Sequence, residues 1–297
     1  MKRLLSNYPA VFVVIFTLSW AVIERISTAA GVSIYQVVWT RYAVHLAFLA
    51  LVFGPRHRLG LVRSSHLGRQ IVRSLLMLGM PLCFIWAIAR MSFQDLFGVF
   101  WIAPLLVIVI ATVIGEQSGG ILTFAAAVIG FLGAILICRP DTDVFHPATL
   151  FALGMAASLA CYLVMSRTMR HEAELPKLFH TALWVFVPLS FVLPFFWQTP
   201  TLQGFVVMSA IGVIGCGALY ALDRSVEIAP PALMAPVLYT QLAWDALLHW
   251  PLHAATSMVR TLAGIVLIFT AAAPAFVWRA SQGIPSRPYR ETHGVST

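Results

Sequence analysis

Two polar side chains, Arg41 and His45, interrupt the otherwise apolar stretch VVWTRYAVHLAFLALVF at residues 37–53. Side chains four residues apart share one face of a helix. A charge at the centre of a membrane-spanning helix costs about 2.5–3.5 kcal/mol on insertion scales, so it normally faces the protein interior and is paired. Arg41 is therefore expected to attract an anionic group of a ligand or to pair with a carboxylate from another helix.

Two carboxylates are candidate partners of Arg41, because the rise along ideal helices places all three groups in the same half of a membrane. At 1.5 Å per residue, Arg41 lies about 12 Å below one membrane surface, and Glu24 and Asp245 lie within about 7 Å and 9 Å of it. The sequence does not choose between the two carboxylates. A purely structural clamp between helices is the alternative to a functional site.

Polar and aromatic residues near these charges form further helical stripes. Trp20 lies four residues before Glu24, and Gln241 lies four residues before Asp245. Polar faces of membrane spans turn away from lipid, so we expect both stripes to face a shared interior. The predicted residues of a substrate or ion pathway are Trp20, Glu24, Arg41, His45, Trp86, Trp101, Tyr239, Gln241 and Asp245. Taken singly, the tryptophans fit packing or interface positions better than ligand contacts.

The composition is typical of a membrane protein. The 297 residues are 60% hydrophobic and 10% charged, with a mean hydropathy of +0.88, whereas an ordinary soluble domain is nearer one quarter charged. The net charge of +8 comes from short segments between apolar runs. This pattern indicates loop charges that set membrane topology, and no nucleic-acid partner is expected.

Two sets of residues could in principle bind a metal ion, but their positions in the sequence argue against it. Cys83, Cys138, Cys161 and Cys216 all lie within apolar runs and lack metal-like spacing, so they are expected to be reduced and packed between helices. His249 and His253 have metal-like spacing, but Pro251 breaks a helix between them. The sequence therefore predicts no metal site and no cofactor.

Ten apolar runs are long enough to cross a bilayer, since a span needs about 20 residues. They are residues 9–30, 33–54, 71–90, 94–114, 119–138, 146–166, 179–197, 202–222, 229–249 and 255–278. With a cytoplasmic N-terminus, most basic residues, among them Arg73, Lys177 and Arg224, fall in inner segments. This positive-inside bias places both termini in the cytoplasm.

The two halves of the chain resemble each other. Residues 86–105 share an Ala-x-x-Arg and a later Ala-Pro pattern with residues 220–237, with a small offset, and GFLGAILI at 130–137 resembles RTLAGIVLI at 260–268. Five spans are an odd number, so the second copy must be inverted relative to the first. Inverted repeats of this kind give many secondary transporters two alternating gates.

The sequence thus predicts an all-α polytopic membrane protein with ten transmembrane helices arranged as two inverted five-helix repeats, both termini being cytoplasmic. The first repeat covers residues 1–140 and the second covers residues 141–278. Residues 279–297, which are rich in proline and polar residues, are predicted to form a disordered cytoplasmic tail.

Several short motifs resemble those of the EamA-type, ten-helix branch of the drug/metabolite transporter superfamily. They are Trp20, Arg41-Tyr42, Ala103-Pro104, Gly115-Glu116, Ala235-Pro236 and LACYLVMSR at residues 159–167. The chain departs from the family where the ninth helix often ends in Gly-Glu, because it has Leu248-His249 there. The resemblance, over residues 9–278, implies metabolite transport across the cytoplasmic (inner) membrane through a central cavity.

The predicted function is that of a secondary transporter which moves a small organic metabolite, an amino acid or a related solute, by alternating access. Arg41 would bind an anionic group of the substrate or a gate carboxylate, and Glu24 or Asp245 would bind a proton or a cationic group. Proton coupling, the direction of transport and a homodimeric state stay open.

Three rival functions are weaker on sequence grounds. An intramembrane enzyme would need a catalytic constellation, and the chain has no HExxH, GxSxG or Walker motif, so no enzymatic activity is expected. A non-transporting scaffold or sensor would need a folded output domain, which the short loops do not provide. A passive channel would need a continuous polar pore rather than partial stripes.

Overall fold

The computed structural model of the chain describes residues 8–30, 34–116, 120–141, 146–197, 199–248 and 255–277, and the regular structure in these ranges is helical. The helices are α1 (Pro9–Ala30), α2 (Ile34–Val52), α3 (Leu67–Ile88), α4 (Phe93–Phe100), α5 (Ala103–Val113), α6 (Gly120–Cys138), α7 (Thr149–Thr168), α8 (Glu174–Val192), α9 (Leu202–Ile228), α10 (Pro231–Leu238), α11 (Thr240–Leu248) and α12 (Ala255–Val277). Single helical turns, Gly54–His57 and Arg58–Leu61, follow α2.

Eight helical segments of the described chain are long and apolar enough to cross a membrane. They are Pro9–Ser27, Leu67–Ile88, Phe93–Val113, Gly120–Cys138, Thr149–Thr168, Glu174–Phe195, Leu202–Ile228 and Met258–Val277. A shorter apolar helix covers Gln36–Val52. The predicted class, an all-helical polytopic membrane protein, agrees with this arrangement. The predicted tail at 279–297 and the His249/His253 pair lie outside the described residues.

Two of the predicted spans are broken near their middle. The fourth is divided into α4 and α5 at Trp101, and the ninth is divided into α10 and α11 at Tyr239. Proline lacks a backbone N–H and cannot continue a helical hydrogen-bond ladder. Pro104 lies in the first turn of α5, and Pro236 lies in the last turn of α10, so each break has a proline within three residues.

The two outer ends of the broken fourth span are capped by local hydrogen bonds. The Ser92 hydroxyl accepts a hydrogen bond of 3.1 Å from the Asp95 backbone N–H at the start of α4. At the other end of the span, Gly115 adopts a φ of 81°, and the Glu116 N–H donates to the Ala111 carbonyl at 2.9 Å. This left-handed residue ends α5 without the penalty that a side chain would bring.

Three helix pairs pack most extensively: α1 with α9, α3 with α7, and α6 with α12. The α6–α12 pair approaches so closely because glycines face each other. A Cβ added to Gly133 would lie 2.8 Å from the Gly264 carbonyl oxygen, and a Cβ added to Gly264 would lie 2.8 Å from the Gly133 carbonyl oxygen. Small residues at such crossings allow the backbones of membrane helices to touch.

We expect Gly264→Ala to lower the melting temperature of the purified protein in detergent, because the added methyl group overpacks the α6–α12 contact at a cost of about 1–3 kcal/mol. Gly217→Ala is the matched control, since a Cβ there would meet nothing within 4 Å. Equal melting temperatures for the two variants would contradict the close contact.

Candidate functional site

Arg41 lies on α2 with 8% of its surface exposed, so the protein rather than lipid encloses it. Its guanidinium carbon is 4.5 Å from the centre of the Trp20 ring on α1 and 5.1 Å from that of Tyr42. Among the described residues, Arg41 takes part in none of the ion pairs, and its Nε has no hydrogen-bond partner. The cation is therefore held by aromatic faces.

Two glycines of α9 make room for α2 at this level. A Cβ on Gly215 would lie 2.6 Å from the Arg41 Nε, and a Cβ on Gly212 would lie 2.5 Å from the Val44 Cβ. Both distances are too short for real contacts, so the Arg41 side chain can lie along α9 only because residue 215 has no side chain.

His45 lies one turn beyond Arg41 and is 1% exposed. Its Nε2 also lacks a hydrogen-bond partner within the described part of the chain. An unsatisfied buried polar group costs about 1–3 kcal/mol, so such groups are uncommon where no ligand or water is bound. The polar face of α2 that the sequence predicts is thus turned inward and retains unused hydrogen-bonding capacity.

The structure places the two predicted carboxylates, Glu24 and Asp245, on α1 and α11, two helices that pack against each other. A hydrogen bond of 2.9 Å between the Thr17 and Thr240 hydroxyls joins α1 to α11 and sets their relative height. Glu24 lies seven residues beyond Thr17, and Asp245 lies five beyond Thr240, so both carboxylates project from a similar level. Trp20, whose ring contacts the Arg41 guanidinium, lies one turn before Glu24.

Trp101 and Tyr239, the residues at the two helix breaks, contact each other with ring centres 5.8 Å apart. Both are buried, and among the described residues neither the Trp101 Nε1 nor the Tyr239 hydroxyl has a hydrogen-bond partner. Gly130 on α6 makes this arrangement possible, because a Cβ there would overlap the Tyr239 ring. Gln241, two residues further on, is buried as well.

Trp86 differs from the other predicted residues. It is 51% exposed on α3, its ring stacks on Phe151 with centres 6.0 Å apart, and the Arg90 guanidinium lies 4.8 Å from it. These contacts fit the packing or interface role that a single tryptophan is expected to have.

A second group of charges, which the sequence analysis treated only as topology signals, is buried among four helices. Arg73 on α3 is fully buried and forms an ion pair with Asp223 on α9. It also donates hydrogen bonds to Tyr162 at 2.6 Å, Ser166 at 2.7 Å and Thr181 at 2.9 Å. Within the group, the Tyr162 hydroxyl donates to Asp223 at 2.8 Å.

Further ion pairs extend this group toward the end of the bundle. Lys177 pairs with Glu227, and Arg224 pairs with Glu174 at 2.6 Å and with Glu227 at 2.9 Å. We call the whole set the inner ion-pair network, because it lies at the end predicted to face the cytoplasm. Its members are Arg73, Tyr162, Ser166, Glu174, Lys177, Thr181, Asp223, Arg224 and Glu227.

The network was not predicted from the sequence, because its basic residues were interpreted as topology signals and its acidic residues were not considered as their partners. The predicted third span, 71–90, contains Arg73, but the predicted eighth span ends at 222, whereas α9 continues to Ile228 and contains Asp223, Arg224 and Glu227. The available signal was that the three basic and three acidic residues of the network all lie near span ends on the same predicted side of the membrane.

No metal site was found among the described residues, where no group of three or more His, Cys, Asp or Glu side chains could hold an ion.

Comparison with known proteins shows that the chain is similar to membrane transporters, although no family model matches it. It is 24% identical over 169 residues to an S-adenosylmethionine uptake transporter of Rickettsia prowazekii (strain Madrid E), covering 57% of this chain and 58% of that protein. It is also 20% identical over 264 residues to an S-adenosylmethionine uptake transporter of Rickettsia felis (strain ATCC VR-1525 / URRWXCal2). That alignment covers 86% of this chain and 90% of the Rickettsia felis protein. The alignment with the Rickettsia prowazekii protein thus spans less than two thirds of that relative.

A riboflavin transporter of Vibrio cholerae serotype O1 (strain ATCC 39315 / El Tor Inaba N16961) is 22% identical over 241 residues, with 78% of this chain and 80% of that protein covered. The chain shares its fold with one solved crystal structure, to which it is 17% identical in sequence and which it matches with a TM-score of 0.78. The match covers 93% of this chain and 99% of the chain in that structure. The named relatives are transporters rather than enzymes, and they support the class of multi-pass membrane transporter for this chain.

We expect Gly215→Ala to destabilise the protein by about 1–3 kcal/mol, because the new methyl group collides with Arg41. In an Arg41→Ala background the same substitution should cost much less, since the collision is gone, and thermal melts of the four proteins give the coupling energy. Gly217→Ala in both backgrounds is the control. A coupling energy near zero would contradict the placement of Arg41 along α9.

We expect Asp223→Asn to lower the stability by about 3–5 kcal/mol, because it leaves the buried Arg73 charge uncompensated. Glu172→Gln is the control: Glu172 pairs at 2.8 Å with His66, whose side chain is 55% exposed, and such exposed pairs contribute about 0–1 kcal/mol. Thermal melts in detergent at one pH measure both. Similar losses for the two variants would show that Arg73 is not enclosed as described.

Proposed function

We propose that this protein is a secondary transporter that moves a small organic metabolite, an amino acid or a related solute, across the cytoplasmic (inner) membrane by alternating access. The observation that carries the proposal is a set of buried polar atoms without hydrogen-bond partners among the described residues. They are the Arg41 Nε, the His45 Nε2, the Trp101 Nε1 and the Tyr239 hydroxyl. A packed structural core would satisfy such atoms, whereas a ligand site keeps them available.

The packing of the helices supports the two inverted repeats, 1–140 and 141–278. Gly133 and Gly264 are aligned in the repeated segments, as are Ile137 and Ile268. A Cβ on Gly133 would lie 3.0 Å from the Ile268 Cγ1, and a Cβ on Gly264 would lie 2.7 Å from the Ile137 Cγ1. Equivalent residues that contact each other reciprocally are typical of a two-fold axis, here a pseudo-two-fold axis between α6 and α12.

The arrangement of the other helices supports the same axis. Shifting by five spans relates α1 to α7 and α9 to α3, and these helices form the closely packed pairs α1–α9 and α7–α3. The same shift relates the broken span α4–α5 to the broken span α10–α11, whose breaks meet at Trp101 and Tyr239. Two such units of opposite orientation can open one site to alternate sides.

The chemistry of the site favours a substrate with an anionic group, a cationic group and an apolar or ring portion. Arg41 binds the anionic group, Glu24 or Asp245 binds the cationic group or a proton, and the aromatic residues contact the ring. Of the substrates named for the relatives, S-adenosylmethionine has all three features, whereas riboflavin has a ring system but no charged group. Amino acids and S-adenosylmethionine are therefore the first candidates to test, and riboflavin is a comparison that lacks the charged groups.

The short motifs that resemble the EamA-type transporters, in particular Ala103-Pro104 and Ala235-Pro236, support the same assignment, since they lie beside the two helix breaks. A non-transporting scaffold or sensor is the alternative function. It would bind a ligand without moving it, so a transport measurement separates the two.

We expect purified protein in proteoliposomes to take up at least one of these candidates with saturation and counterflow. Arg41→Ala should lower the initial rate about tenfold or more, because the anionic group of the substrate loses its charged partner, a contact worth about 1.5–3 kcal/mol. Trp86→Phe is the control, since Trp86 packs on Phe151 away from the buried groups. Full transport by both Arg41→Ala and Asp245→Asn would overturn the assigned roles.

If Glu24 and Asp245 bind the coupling proton, Asp245→Asn should abolish the stimulation of transport by a pH gradient while leaving substrate counterflow, which needs no net proton movement. Measuring both reactions in the same vesicles separates loss of coupling from loss of substrate binding. A pH-gradient stimulation equal to that of the unaltered protein would exclude Asp245 from proton coupling.

A further inference from the structure

We propose that the contacts of Arg73 with the second half of the chain, above all its ion pair with Asp223, form the intracellular gate of the transporter and must separate before the central site opens to the cytoplasm. This inference rests on the proposed transport function. In this proposal the buried charges move apart when the cytoplasmic end opens, whereas binding of a substrate at Arg41 does not itself require them to move.

The network joins the two halves of the chain. Arg73 belongs to the first half, and the side chains that it binds, Tyr162, Ser166, Thr181 and Asp223, belong to the second. In transport by alternating access, one half moves against the other. Contacts that cross between the halves at one end are therefore the contacts that break when that end opens.

Burial of the network makes it suited to a reversible contact rather than to permanent stabilisation. The side chains of Arg73 and Asp223 are 0% and 6% exposed, and those of Lys177 and Glu227 are 1% and 6% exposed. A buried ion pair is often no more stabilising than apolar packing of the same volume, because both charges lose their hydration. When the pair separates into water, hydration offsets the lost attraction, so the closed and open states can have similar free energies.

A surface cavity of about 490 Å³ adjoins the network at the same end of the bundle. Three members of the network, Glu174, Arg224 and Glu227, line it together with Arg170 and Glu172. The exposed edge of the network thus borders an entrance, whereas Arg73 and Asp223 lie buried behind this edge. Along α9, Asp223 lies between Gly215, which faces Arg41, and Glu227, which lines the cavity, so the Arg73–Asp223 pair lies between the cavity end of the bundle and Arg41.

Cys216 provides a native reporter behind the proposed gate. It is buried on α9, seven residues before Asp223, so the two share a face and lie about 10 Å apart along the axis. Cys216 directly follows Gly215, where an added Cβ would lie 2.6 Å from the Arg41 Nε, so Cys216 lies at the level of the proposed substrate site. A closed network shields this thiol from reagents on the cytoplasmic side, and an open one exposes it.

The test uses the full chain with Cys216 as its sole cysteine, Cys83, Cys138 and Cys161 being replaced by alanine. Inside-out membrane vesicles are treated with a charged, membrane-impermeant maleimide, and the labelling rate of Cys216 is measured. Ser166→Ala and Thr181→Val each remove one hydroxyl partner of Arg73 and so weaken a contact between the two halves. We expect each to raise the labelling rate about tenfold or more, because a hydrogen bond to a buried charge is worth about 1.5–3 kcal/mol and its loss shifts the equilibrium toward the open state.

Two matched variants guard this interpretation. Arg224→Gln breaks ion pairs with Glu174 and Glu227 that lie within the second half, and it should leave Cys216 protected. Glu172→Gln breaks the exposed His66–Glu172 pair, which borders the same cavity without belonging to the network, and should also leave the rate unchanged. Size-exclusion profiles establish that each variant is folded.

Unchanged labelling in both Ser166→Ala and Thr181→Val, with transport intact, would overturn the gate and leave the proposed function standing. A rise of equal size in Arg224→Gln or Glu172→Gln would also overturn it, since the effect would then be a general loosening of this surface. Faster labelling confined to the two variants that weaken the contacts of Arg73 supports the gate. The assay contains no substrate, so this result is independent of whether any tested solute is transported.

Discussion

The structure depends on how a chain that is mostly apolar encloses a few charges within its spans. Arg73 and Arg41 show two different solutions. Arg73 has a carboxylate and three hydroxyl partners, so its charge is fully compensated. Arg41 has aromatic rings at 4.5 Å and 5.1 Å, and cation–π contacts contribute only about 0.5–2 kcal/mol each. Arg41 therefore retains the capacity to bind a further anionic group, and this difference underlies the roles proposed for the two arginines, substrate binding for Arg41 and gating for Arg73.

The second constraint is steric, because charged and aromatic side chains reach these positions only where facing helices lack side chains. Gly215 leaves the space that the Arg41 side chain occupies, and Gly130 leaves the space for the Tyr239 ring. Gly133 and Gly264 bring the α6 and α12 backbones together without leaving any space between them. The glycines thus have two different effects. Gly215 and Gly130 allow the side chains of the candidate site to take their positions, and Gly133 and Gly264 allow the two halves of the chain to pack against each other.

Much of the fold could be predicted from the sequence, since hydropathy locates the spans and proline marks the two breaks. The buried face formed by Arg41 and His45 also followed from helical spacing alone. Depth counting placed Glu24 and Asp245 at a similar level, but it carries no information on rotation about the helix axis. It could therefore not foresee that Arg41 lies on Trp20. The inner ion-pair network was not foreseen for another reason: hydropathy ends the eighth span before Asp223, although α9 continues to Ile228, and helical spacing does not reveal which distant helix faces Arg73.

Within the described part of the chain, Arg73 has a carboxylate partner and Arg41 has aromatic partners, and this difference affects the proposed transport cycle. A ligand shifts a conformational equilibrium only by its difference in affinity for the two states. The inner ion-pair network lowers the free energy of the inward-closed state without any ligand, because its partners are all present in the chain. The Arg41 Nε gains a partner only when an anionic group enters the site. Binding there must therefore offset the separation of Arg73 from Asp223, so that the loaded transporter, rather than the empty one, opens toward the cytoplasm.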